Sequence, residues 1–165
     1  MTKPILLATS AAIAGIALFS MTAGASLQAN DVGSYDAERL EIENFVGRIE
    51  IRTGSSDAIS VSMTNTGGLV DDPSVSHSGS TVRIDGGLRL RNTNCSTRNN
   101  TMSIGLNRGR RHSIDEYPSL VITAPASLAL ELDDSAYVGS AGDLGSADLS
   151  MNSCGRLDVG DIAGE

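Results

Sequence analysis

Residues 40–54 read LEIENFVGRIEIRTG: Leu40 and Ile42 alternate with Glu41 and Glu43, then Ile49 and Ile51 alternate with Arg48, Glu50 and Arg52. A period of two sends successive side chains to opposite faces of an extended strand, so this stretch predicts two strands with one apolar face. The pattern continues outward. Ile59, Val61 and Met63 interleave with Ser60, Ser62 and Thr64, and Val82 and Ile84 with Arg83 and Asp85. Leu88 and Leu90 interleave with Arg89 and Arg91, and Met102, Ile104 and Leu106 with Ser103, Gly105 and Asn107. Leu128, Leu130 and Leu132, then Leu149 and Met151, then Leu157 and Val159, complete the set. No stretch carries an amphipathic helical repeat of useful length, and the breaks are Gly, Asn, Asp and Ser, which turn the chain at low cost. The expected fold class is all-β.

Pro118 and Pro125 bracket Ser119 to Ala124, where Leu120, Val121 and Ile122 are apolar in succession, as expected of a strand covered on both faces. An antiparallel β-sandwich accounts for short strands and frequent turns. Repetition argues instead for a β-solenoid. From Gly142 the chain reads GDLGSADLSM and from Gly160 it reads GDIAGE, an offset of 18; matching Val138-Gly139 to Val159-Gly160 gives 21. Short repeats of this kind stack small inward side chains coil over coil. An aromatic content of 3% without tryptophan suits such a narrow core better than a thick sandwich interior.

The stretch at Leu40 to Gly54 resembles the opening strands of exported bacterial adhesin-like β-helix proteins, the group that includes the auto-transporter adhesin head domain. YPSLVITAPASLALELDDSAYVGSAGDLGSADLSMNSCGRLDVGDIAGE (Tyr117 to Glu165) resembles their later coils, in which a strand ending in Pro-Ala precedes aliphatic-Gly-Asp-aliphatic repeats. The two segments cover about half of residues 30–165, and Thr66 to Glu116 matches less well. The resemblance implies a right-handed parallel β-helix in the cell envelope, with no established catalytic residue.

Residues 1–29 carry one charge, Lys3, then an apolar run from Ile5 to Phe19 and a small-residue stretch ending at Ala29. That order is expected of a secretory signal peptide, which places residues 30–165 in the periplasm or outside the cell as one domain. No second apolar run is long enough to span a membrane. The remaining residues hold 11 arginines against all 20 acids, a net charge of about −9, which argues against general affinity for nucleic acid. The chain stops at Ala163-Gly164-Glu165 inside a repeat unit, so a truncated domain, or self-association through an open solenoid end, is expected there.

Motifs for chemistry are sparse. His112, Ser113 and Asp115 are close along the chain, but a nucleophilic triad needs convergence in space rather than adjacency. His77 and His112 with Cys95 and Cys154 would be four scattered single ligands, unlike structural zinc, and a Cys95–Cys154 disulfide is the stronger expectation for an exported chain. Asp133, Asp134, Asp143, Asp148, Asp158 and Asp161 recur near turns, yet the glycine-paired nonapeptide of calcium-binding β-rolls is missing. Gly67-Gly68 and Gly86-Gly87 lack the lysine and hydroxyl of a phosphate loop. No catalytic residue, metal or cofactor is therefore expected.

The largest local departure from the acidic average lies between Leu88 and Ser113, where Arg89, Arg91, Arg98, Arg108, Arg110 and Arg111 occur without an acid. Two readings remain open. The arginines balance acidic neighbours on adjacent coils, or they form a contact patch for an anionic envelope polysaccharide or an acidic protein surface. The expected function is an exported binding or structural module of the cell envelope. The alternatives are a carbohydrate-active β-helix enzyme using paired aspartates, and a self-associating structural protein. The alternation generates a first prediction: the far-ultraviolet circular dichroism spectrum of residues 30–165 is that of a β protein, and a helix-dominated spectrum would contradict it.

Overall fold

The computed structural model describes residues 30–99, 101–151 and 154–164; the expected signal peptide, residues 1–29, lies outside them. The chain is all-β. Its strands are β1 (Asn30–Tyr35), β2 (Arg39–Glu43), β3 (Val46–Thr64), β4 (Ser74–Ser78), β5 (Thr81–Asp85) and β6 (Asn94–Arg98). They continue with β7 (Thr101–Gly105), β8 (His112–Ser113), β9 (Ser119–Pro125), β10 (Ala129–Ala141), β11 (Ser146–Met151) and β12 (Arg156–Val159). Among the described residues the only helical piece is a 3₁₀ turn, Ile114–Glu116. Leu88 and Leu90, expected in a strand, lie in irregular chain, because Gly87 (φ 64°) and Asn92 (φ 60°) turn the backbone on either side of them.

Two facing sheets share one strand. Residues 129–133 of β10 pair in parallel with β2 on one edge and β11 on the other, and β5 and β4 extend this sheet beyond β2. Residues 136–141 of β10 pair in parallel with β3 and β12 in the other sheet. There β9 lies between two arms of β3: residues 48–54 run parallel to it, and residues 60–64 return along its opposite edge in the reverse direction. β1 then pairs with the returning arm. The coverage expected on both faces of this strand is found on one: Leu120, Ile122 and Ala124 are buried, whereas Val121 is half-buried and Thr123 exposed, because partners on both edges leave the outer face uncovered.

Parallel stacking dominates the centre of both sheets. Leu40, Leu130 and Ala147 share one rung, and Ile51, Ala141 and Val159 another. Toward the C-terminus the pairing advances by 17 residues at Leu130–Ala147 and by 18 at Val138–Arg156, which selects 18 over 21 for the repeat there. The rest departs from a wholly parallel β-helix. β1, β4 and the returning arm of β3 run antiparallel to neighbours, because the reversals at residues 54–58 and at Gly79 (φ 59°) are too short for a parallel crossover. The outcome is a pair of mixed sheets, compatible with sandwich-like packing.

Inward residues of both sheets form one core of Leu, Ile and Val, including Leu40, Ile42, Ile49, Val82, Leu120, Ile122, Leu130 and Leu132, each at most 2% exposed. The chain passes from one sheet to the other at two aligned corners, between β2 and β3 and within β10. Asn44 (φ 52°) and Asp134 (φ 38°) take left-handed backbone, a conformation that Asn and Asp tolerate better than most residues. Beside them the buried Ser135 hydroxyl donates to the Asp133 carbonyl (2.7 Å) and accepts the Phe45 N–H (3.1 Å). Gly139 allows the closest approach in the stack, since a Cβ there would lie 1.9 Å from the Ile49 carbonyl oxygen.

The fully buried Tyr137 hydroxyl has no hydrogen-bond partner among the described residues, and burial pushes its pKa up to about 12. The two polar side chains should therefore respond oppositely to removal. Ser135→Ala orphans a buried backbone donor and should cost about 1–3 kcal/mol, whereas Tyr137→Phe should be neutral or stabilising. Urea midpoints measure both. A Tyr137→Phe loss larger than the Ser135→Ala loss would contradict this account of the corner.

Candidate functional site

Residues 86–116, between β5 and the strand β9, form a small flap over the outer face of the stack. β7 pairs with β6 and β8 in a three-stranded antiparallel sheet. Its inner face carries Cys95, Met102 and Ile104, which pack with Leu90, Ile114 and the outward side chains Val46, Ala136 and Val138 of the stack. Three ties add to this second apolar cluster. Cys95 and Cys154 form a disulfide with Cα atoms 5.8 Å apart, joining β6 to the corner before β12. The buried Tyr117 hydroxyl donates to the Ile104 carbonyl at 2.9 Å. Arg48 on β3 meets Asp115 at 2.5 Å.

That last contact holds the Asp115 carboxyl below its ordinary pKa, the Arg48 guanidinium being the main cause. Its contribution is thus present at neutral pH and lost as pH falls through the lowered value. Glu116 is also held down, first by the Ser113 backbone N–H and then by His112. Ser113 and Glu116 make a reciprocal capping box that fixes the 3₁₀ turn.

The structure divides the arginines into two sets. Arg39, Arg48, Arg52, Arg83 and Arg156 each pair with a carboxylate: Arg83 reaches Glu41 at 2.7 Å, Arg52 reaches Glu50 at 2.7 Å, and Arg39 contacts both Glu41 and Glu131. Arg89, Arg91, Arg98, Arg108, Arg110 and Arg111 are all exposed on the flap, and among the described residues none has an ion-pair partner. The flap brings their segments together. The Arg108 N–H donates to the Asn92 carbonyl, bringing the backbone after Arg91 to the 106–111 turn, and Arg98 and Arg111 line one open depression of about 340 Å³ with Ser96 and Ser103.

Other sequence candidates do not converge. His77 sits on β4 against Tyr35, with ring centroids 5.4 Å apart, while His112 contacts Glu116 on the flap. Cys95 and Cys154 bind each other. The Asp161 N–H donates to Asp143 Oδ1 at 3.0 Å and Asp158 pairs with Arg156, so three of the recurring aspartates hold turns and surface pairs. Among the described residues no group of three or more His, Cys, Asp or Glu is placed to hold a metal ion, and no helix is long and apolar enough to cross a membrane. The outer face of the sheet that holds β2 and β5 carries a ladder in which Arg83 and Arg39 hold Glu41 below its ordinary pKa.

No protein-family model and no curated protein matches the chain. Among solved structures, a "putative cell adhesion protein" from Clostridium sporogenes ATCC 15579 is similar over 76% of this chain, at 14% identity and a TM-score of 0.28. The chain spans about half the length of that structure, 50% of it being covered.

The disulfide closes a separation of 59 residues, which on the chain-entropy view stabilises the fold by about 4 kcal/mol, less any strain. Reduction should lower the denaturation midpoint accordingly. Intact mass after alkylation of denatured, non-reduced protein should show no added groups; two groups added without reductant would remove the bridge from the account.

Proposed function

We propose that the protein is an exported binding module of the cell envelope, in which a short right-handed parallel β-helix presents an arginine-rich flap to an anionic envelope polymer. One observation carries the reading: in an acidic protein whose other described arginines are neutralised in pairs, the six without partners are gathered on one flap. Keeping guanidinium groups exposed and unpaired in such a background leaves their donor forks available to carboxylate, phosphate or sulfate oxygens. Parallel coils advancing by 17 to 18 residues support the β-helix description, and the strong preference of parallel crossovers for one hand supports a right-handed one. The disulfide supports export, because such bridges persist in oxidising compartments.

A second reading, end-to-end self-association, has its own observation. Among the described residues β11 and β12 have no partner on their outer edges. Leu149, Leu157 and Val159 beside those edges are half-buried, and Ile162 is 47% exposed. Open parallel edges over apolar side chains favour association with another strand.

The polymer reading is tested with Arg108→Ser, Arg110→Ser and Arg111→Ser combined, on an anionic polysaccharide column. The unsubstituted protein should be retained at low salt and released as salt rises, and the triple variant should elute early with an unchanged circular dichroism spectrum. Equal retention of the two proteins would overturn the assignment.

A further inference from the structure

The flap's two faces differ in chemistry in a way that narrows the ligand. Side chains alternate across β6 and β7, so with Cys95, Met102 and Ile104 turned toward the stack, Ser96, Arg98, Thr101 and Ser103 face outward. Ser96 lies directly across from Ser103, Arg98 across from Thr101, and Ser103 across from Ser113. Arg111 precedes Ser113 by two positions and returns to the same face, which is why it lines a depression with Ser96, Arg98 and Ser103. Two guanidinium groups thus border a pair of hydroxyls. Neither hydroxyl has a hydrogen-bond partner among the described residues, and the two nearest carboxylates in sequence are engaged elsewhere, Asp115 by Arg48 and Glu116 by Ser113 and His112.

We infer that this depression is a subsite for a tetrahedral oxyanion, a sulfate or phosphate ester on the polymer, in preference to the carboxylate of a uronic acid. The inference rests on the polymer-binding reading above. A carboxylate offers two oxygens whose acceptor directions all lie in one plane, so it can take two arginines, as Glu41 does, but cannot also meet a pair of hydroxyls out of that plane. A sulfate or phosphate monoester offers three terminal oxygens pointing in different directions. Two of them accept from the two forks while the third takes the serine hydroxyls, so the donor set of the depression matches the acceptor set of the ligand. Lysine in place of arginine keeps the charge and removes the fork.

The test compares salt-gradient elution from three columns of matched charge density, bearing a sulfated dextran, a phosphorylated cellulose and a polyuronate. The unsubstituted protein should leave the sulfated or the phosphorylated column at higher salt than the polyuronate. The stronger of those two identifies the source of the oxyanion. Arg98→Lys with Arg111→Lys should erase that difference while retention on the polyuronate stays. In solution, inorganic sulfate or phosphate should shift the amide resonances of Ser96 and Ser103, with affinity about tenfold weaker in the double lysine variant. Equal elution from all three columns, stronger retention on the polyuronate, or a preference that survives the double substitution would overturn the inference and leave the polymer reading standing. Retention on none of the columns would overturn both.

Discussion

The hydroxyl of Ser135 joins two corners of the chain that are 90 residues apart in sequence, at Phe45 and at Ser135 itself. The architecture depends on that join, because at each corner the chain leaves one sheet and enters the other. At the corner backbone bonds still run from the Asn44 N–H to the Asp133 carbonyl and from the Ala136 N–H to the Phe45 carbonyl, but the Phe45 N–H takes a side-chain acceptor, and in a dry interior a missing partner costs free energy comparable to a lost hydrogen bond. The Ser135 hydroxyl supplies that acceptor and donates in turn to the Asp133 carbonyl, so it ties one corner to the other. With the corners aligned, β2 stacks on the first half of β10 and β3 on the second half, both in parallel and in register. The core side chains then meet as rungs across the two sheets.

The flap follows from the same geometry. Past the corner, Val46, Ala136 and Val138 point outward and would be exposed apolar surface without a cover. Residues 86–116 supply it, and the disulfide fixes the cover beside the start of β12, where Cys154 is buried. Covering an apolar patch on one face frees the opposite face of a three-stranded sheet for polar residues, and there the chain places serines and arginines. Carboxylates on the rest of the surface are partly neutralised by the paired arginines, as Glu41 is between Arg39 and Arg83. The positive flap stands on an acidic body, and its charge is concentrated rather than dispersed.

Much of the core was legible in the sequence. Strict alternation picked out Leu40, Ile42, Ile59, Val61, Val82 and Ile84, all buried, because a strand with one covered face repeats every two residues. The 18-residue repeat at Gly142 and Gly160 was also readable, and its Leu144–Ile162 bridge is present. The stacking of residues 39–51 on 129–141 went unread, although a signal existed: LEIEN at 40–44 and LELDD at 130–134 share an aliphatic-acidic alternation ending in a residue that tolerates left-handed backbone. The two segments lie 90 residues apart, far beyond the 18-residue repeat of the C-terminal strands. The antiparallel arms were hidden for another reason, since alternation reports which face a residue takes and is silent on strand direction. For the arginines, the sequence showed a cluster but not its pairing, because the paired arginines find most of their carboxylates on neighbouring strands or on a distant turn.

The central claim is that β10 is a spine with a parallel neighbour on each edge along both of its halves. Cross-strand nuclear Overhauser contacts in isotopically labelled protein test it most directly. The account predicts contacts from Leu130 to both Leu40 and Ala147 and from Val138 to both Arg48 and Arg156, in the pattern of parallel strands. Contacts from β10 to one neighbour only, or in an antiparallel pattern, would contradict it.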